Sequence, residues 1–99
     1  MSVFSKRLKE ARHKMGLSQE RLGVLAGIDE MSASARMNQY ERGKHEPNFS
    51  MLERIARVLN VPTAYFYAVD DDEAKLLQWF YHLSADERAE LMQKVERER

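Results

Sequence analysis

Residues 17–47 read LSQERLGVLAGIDEMSASARMNQYERGKHEP, from Leu17 to Pro47, and this stretch decides the fold. Ser18 carries a hydroxyl that can accept from an unpaired amide of a first helical turn, as N-cap residues do. Leu22 and the Leu25-Ala26 pair follow at helical spacing. Gly27 then stops the helix, because glycine enters the left-handed region at low steric cost. Ile28 resumes the apolar pattern, and a second helical segment runs to Arg42 and closes at Gly43. Two short helices joined at a glycine turn are what a helix-turn-helix requires. Gly23 supplies a small residue where the two helices would cross closely.

Gly16-Leu17-Ser18-Gln19, Leu22-Gly23, Gly27-Ile28, Tyr40-Glu41-Arg42-Gly43 and Pro47 carry a resemblance when taken as a set. They are similar to the DNA-binding core of the lambda-repressor-like (XRE) family, and the likeness extends from about Leu8 to Phe66. The pattern departs from the family at one place. The apolar residue of the recognition helix usually follows the turn glycine more closely; here Met37 lies ten residues after Gly27, so that Asp29-Glu30-Met31-Ser32 look like four extra residues. Four residues is close to one helical turn. The surplus lengthens either the turn or the recognition helix, which bears on contacts near the helix N-terminus but not on those near Gln39.

At 99 residues the chain fits one small domain with an appendage. It can bury roughly 60–65% of its unfolded surface, so association would add to its stability. The absence of cysteine excludes disulfides, thiolate catalysis and cysteine-ligated zinc. No apolar run approaches the ~20 residues of a membrane span, and the first residues lead straight into charge instead of a signal peptide. A soluble cytoplasmic protein is expected. The net charge of zero hides segregation: residues 1–47 carry a balance of +3, residues 48–69 +1 and residues 70–99 −4. A mildly basic front and an acidic tail suit a nucleic-acid-binding head with a tail that avoids the polyanion.

Phe4, Leu8, Ala11 and Met15 recur at helical spacing, so residues 3–15 are predicted to form a first amphipathic helix. Its polar face carries Lys6, Arg7, Lys9 and Lys14. The second helix is expected over 18–26 and the third over about 33–42. Asn48 is a good N-cap for a fourth helix over 49–59, with Leu52, Ile55, Ala56 and Leu59 as its buried stripe. Pro62 suits the first position of a short fifth helix, which Tyr65 and Phe66 would pack onto the core. No alternating strand pattern of useful length occurs, so the fold class is all-α. Asp70-Asp71-Asp72-Glu73 marks a boundary and favours a helix start through the macrodipole. Leu76, Leu77, Phe80 and Leu83 form the stripe of a sixth helix. Ser84-Ala85-Asp86-Glu87 is a capping box for a last helix with Leu91, Met92 and Val95 on its apolar side. The expected organisation is a five-helix head over residues 1–69 and two additional helices over 70–99.

On a wheel of 100° per residue, Ala33, Met37 and Tyr40 of the third helix point inward. Ala35, Gln39 and Arg42 lie near the opposite pole, flanked by Ser32, Arg36 and Asn38. A major groove offers donor and acceptor patterns and thymine methyls: glutamine can pair with adenine, arginine with guanine, and alanine can touch a methyl. Gln39 is the first candidate for reading a base, followed by Arg36, Ala35, Ser34 and Ser32. Gln19 begins the second helix, whose electropositive end attracts phosphate; the resemblance implies that it also buttresses a recognition residue. Arg42 and Lys44, with the amides near Asn48, make a second phosphate-facing group, and Asn38 can add a contact of the same kind. Such contacts fix register without reading sequence. Arg12 and Glu41 interrupt apolar faces, and the resemblance implies that they form a structural ion pair between the first and third helices.

Catalysis finds little support. His13, His45 and His82 are scattered without metal-ligand spacing, and no phosphate loop or nucleophile motif is present. No cofactor or metal is implied, and no inducer pocket is evident. The resemblance implies a sequence-specific double-stranded DNA-binding transcriptional regulator, with a repressor by occlusion expected. A homodimer on a palindromic operator would place two recognition helices roughly 34 Å apart. Leu76, Leu77, Trp79, Phe80, Leu83, Leu91, Met92 and Val95 are the candidate dimer contacts. The alternatives are an antitoxin or restriction-modification controller with the same head, and a protein-interaction module that has lost DNA binding.

Overall fold

A computed structural model describes residues 2–99. In chain order its elements are α1 (Val3–Lys14), α2 (Gln19–Leu25), α3 (Glu30–Glu41), α4 (Phe49–Leu59), a 3-10 turn (Thr63–Tyr67), α5 (Asp71–His82) and α6 (Ala85–Arg97). All regular structure among the described residues is helical, so the all-α class holds. Short polar residues set the starts. The Ser18 hydroxyl accepts from the Arg21 amide at 3.0 Å, and the Asn48 side chain from the Met51 amide at 2.9 Å. Ser84 and Glu87 form a reciprocal capping box, at 3.1 and 2.8 Å, each satisfying an amide that the first turn leaves unpaired.

One helix start and one element type differ from expectation by more than a residue at an end. The recognition helix starts at Glu30, not near residue 33, because Asp29 is its N-cap and accepts from the Met31 amide at 3.0 Å. Three of the four surplus residues therefore lengthen the helix, and the fourth, Asp29, caps it and leaves the turn short. The fifth element is a 3-10 turn of five residues preceded by Pro62; so short a segment gains little from α-helical bonding, and the tighter winding is common in such connectors.

The core sits between α1, α2, α3, α4 and the 3-10 turn. Leu8, Leu22, Ile28, Met37, Leu52, Ile55, Leu59 and Phe66 are all buried. The close crossing is between α2 and α3. A Cβ added at Gly23 would lie 2.8 Å from the Ala33 Cβ, a separation that packed carbon atoms do not tolerate. Gly27 has φ +93°, a backbone that side chains with a Cβ adopt only under strain. It turns the chain from α2 into α3.

Arg7 is not on a solvated face. It is 2% exposed, with Nε donating to the Ala68 carbonyl at 2.9 Å and Nη2 to the Val69 carbonyl at 3.2 Å. Its Nη1 lies 3.1 Å from Glu10 and 3.0 Å from Asp71. Burial alone would lower the pKa of this guanidinium, but hydrogen bonds and charge from Asp71 and Glu10 raise it instead. Arg7 thus ties α1 to the segment leading into α5. Ala74 is buried in the same core and Leu77 packs against it, while the His82 ring is 2.9 Å from the Asn60 carbonyl.

That packing corrects the assignment of Leu77: it faces the head. α6 buries none of its residues. It is held to α5 by Arg88, which donates to the Phe80 and Tyr81 carbonyls at 3.0 and 2.8 Å and stacks 4.8 Å over the Phe80 ring. The molecule is elongated, 52 × 25 × 23 Å. No helix among the described residues is long and apolar enough to cross a membrane.

Candidate nucleic-acid interface

The period of α3 divides it into two faces. Ala33, Met37 and Tyr40 are buried against the scaffold. Ser32, Ser34, Ala35, Arg36 and Gln39 are exposed, Asn38 is half-buried, and Arg42 caps the helix as an exposed residue. The face offers amide, hydroxyl and guanidinium groups around one methyl. Arg36 is folded back in this state, its Nη2 donating to the Tyr40 hydroxyl at 3.0 Å. Lys44 and Asn48 lie exposed beyond the end of α3, on the loop into α4.

One carboxylate organises the back of this face. Glu41 is 4% exposed and is paired with Arg12, whose Nε reaches Oε2 while Nη2 donates to Oε1 at 3.0 Å. The third Arg12 nitrogen, Nη1, donates to the Leu17 carbonyl at 2.8 Å. Both ends of a buried pair are thereby satisfied, which keeps desolvation from dominating. Gln19 joins the network: its Nε2 lies 3.1 Å from Glu41 Oε1 and 3.3 Å from Asn38 Oδ1. The Gln19 donors are turned inward, and the residue bridges the start of α2 to the last turn of α3. Among the described residues, no buried side-chain nitrogen or oxygen lacks a partner.

Sequence reasoning missed Ser5. It is fully buried on α1, and its hydroxyl donates to the Tyr40 carbonyl at 3.0 Å, fixing the last turn of α3 from a second direction. Nothing in the local pattern marks it, since a serine in a charged helix reads as solvated. Met31, whose residue type suggests a core or interface filler, is outside the core: it is 92% exposed in the first turn of α3. The candidate tail residues are spread over several environments. Leu76, Trp79, Met92 and Val95 are 54%, 64%, 47% and 46% exposed, whereas Phe80, Leu83 and Leu91 are half-buried.

With this geometry in place, known proteins supply the context. A helix-turn-helix family model matches residues 8–66. The crystal structure of the transcriptional regulator BswR resembles the whole chain, with a TM-score of 0.87 at 46% identity, over 98% of this chain and 94% of that one. An uncharacterized HTH-type transcriptional regulator of Sinorhizobium medicae (strain WSM419) is 34% identical over 61 residues, 62% of this chain and 41% of that protein. The SPbeta prophage-derived uncharacterized HTH-type transcriptional regulator YonR of Bacillus subtilis (strain 168) is 33% identical over 63 residues, 64% of this chain and 55% of that protein. The chain thus spans about two fifths of the length of the Sinorhizobium relative. The family match covers more than half of the sequence and coincides with the α1-to-3-10-turn scaffold that presents α3: the chain belongs to the XRE-type helix-turn-helix family of DNA-binding transcriptional regulators.

Proposed function

We propose that this chain is a sequence-specific repressor that binds a palindromic duplex site as a homodimer, with residues 1–69 as the DNA-binding head and residues 70–99 supplying the dimer contact. α3 enters the major groove, and Gln39, Arg36, Ala35, Ser34 and Ser32 read base edges. Arg42, Lys44, the amides near Asn48, Asn38 and, through the free backbone amides at the start of α2, Gln19 set the register on phosphates. The observation that carries this reading is the outward face of α3, polar and exposed, on a helix clamped from behind by the Arg12–Glu41–Gln19 network. A rigid support of that kind is what base-edge recognition needs.

Self-association is supported by the tail. Leu76, Trp79, Met92 and Val95 leave apolar surface exposed on both α5 and α6, and contiguous apolar surface usually marks an interface. The tail's charge balance of −4 favours a position away from the duplex, and a twofold dimer matches a palindromic site. Occlusion by such a dimer represses transcription without any further machinery. Binding of the full chain to a duplex pool at about 50 and 200 mM salt tests the DNA-binding part. Phosphate neutralisation requires log affinity to fall linearly with log salt. Affinity that is absent, or that has no salt slope, would instead identify a protein-interaction module on this scaffold.

A further inference from the structure

Resting on the reading of α3 as the element that enters the major groove, we infer that Met31 and Ala35 form an apolar strip that reads a thymine C5-methyl group in each half-site. Met31 is the most exposed large apolar residue among those described, at 92%. It belongs to the extra turn at the start of α3, so the added residues extend the outward face. Residues at i, i+4, i+7 and i+11 stack along one side of a helix. From Met31 that line runs through Ala35, Asn38 and Arg42, all exposed or half-exposed. The buried line of Ala33, Met37 and Tyr40 lies across the helix from it. Met31 therefore points with the reading face and away from the core.

The charges beside it select base edges over backbone. Asp29 and Glu30 place two carboxylates at the very start of α3. A helix N-terminus ordinarily favours phosphate, but two carboxylates there repel it. An acidic end with an adjacent apolar side chain fits the floor of the groove, where cytosine and adenine present amino donors and thymine presents its methyl. Methionine is unbranched and adapts its shape to such a contact, and a side chain this exposed gains from any apolar surface that covers it.

The test uses the full chain. A preferred duplex is selected from a random pool, and each of its thymines is replaced singly by deoxyuridine, which lacks only the C5-methyl. For the native chain, one thymine per half-site should lose roughly fourfold in affinity on demethylation, the worth of one buried methylene-sized group. In Met31→Ala the same replacement should be nearly silent. Alanine is a strong helix former and Met31 is exposed, so the thermal midpoint of this variant should match the native one. A Met31→Ala demethylation profile that superimposes on the native profile overturns the assignment, as does a native profile without a methyl-sensitive thymine. Failure of the functional reading has a different signature: no duplex is enriched from the pool, and both readings then fall together.

Discussion

Glu41 is the residue on which the support of the reading face converges. It accepts from Arg12 and Gln19, and Gln19 in turn reaches Asn38. With Arg12 11% and Glu41 4% exposed at the side chain, removing one partner strands a charge in a site that water hardly reaches. Arg12→Ala or Glu41→Ala should each cost about 3–5 kcal/mol. Replacing both by apolar residues should cost less than the two single effects added together. Denaturant unfolding of the four proteins measures this, and strictly additive effects would show that the pair is not coupled. Lys44 stands at the other extreme: exposed on a loop, it is placed to meet phosphate alone. Lys44→Ala should weaken binding to all duplexes about equally and lower the salt slope by about one, whereas a change in sequence preference would move it among the base-reading residues. Arg7 shows where residue-level reading stops. Lys6, Lys9 and Glu10 flank it on α1, so it looks solvated; its partners Ala68 and Val69 are 61 and 62 positions away. No helical period reports a contact at that separation.

At the level of elements, the apolar period of α3 was legible because Ala33, Met37 and Tyr40 share one side and because glycines bracket the segment. Its start was misplaced because the surplus Glu30-Met31-Ser32 has no buried residue and so adds nothing to the apolar pattern. The signal that finds it is Asp29, an N-cap type followed by an acidic residue. The α2–α3 crossing depends on Gly23. Gly23→Ala would put a methyl 2.8 Å from the Ala33 Cβ and 3.1 Å from the Ala33 carbonyl oxygen. Neither is the flexible end of a long side chain, so α3 must shift. The expected destabilisation is about 1–3 kcal/mol, with a loss of DNA affinity as α3 moves. A stable variant with native affinity would show that the crossing is not tight in solution.

The α1–α5 contact has a pH signature. The Arg7 hydrogen bond, reinforced by the charge of Lys6, holds the Asp71 carboxyl below the usual aspartate range. A depressed native pKa means that the unfolded chain binds the proton first as pH falls. The contribution of the pair is therefore complete above about pH 4 and is lost as pH falls through the depressed native value. The stability gap between the native chain and Asp71→Asn should be constant from neutral pH down to about pH 4 and shrink below it. A gap that does not change with pH would show that Asp71 is not held by Arg7.

For the molecule as a whole, the head was readable from local pattern while the seating of the tail was not. α5 could have turned either stripe to the head. It buries Ala74, packs the half-buried Leu77 against the core and leaves Leu76 and Trp79 outside, with the Arg7–Asp71 and His82–Asn60 contacts at its two ends. If the outer stripe joins two chains, Trp79→Glu places a charge in the interface without disturbing the core. Light scattering should then fall from twice the 11.6 kDa chain mass to a single copy; an unchanged mass would locate the interface elsewhere. The central claim, that the outward face of α3 reads base sequence, is tested most directly by selecting duplexes from a random pool with the native chain and with Gln39→Ala. The native chain should select a palindromic site, and Gln39→Ala should lose the preference at one base pair of each half-site, with a penalty of about 1–3 kcal/mol on the native site. Enrichment of the same site with the same preferences by both proteins would contradict it.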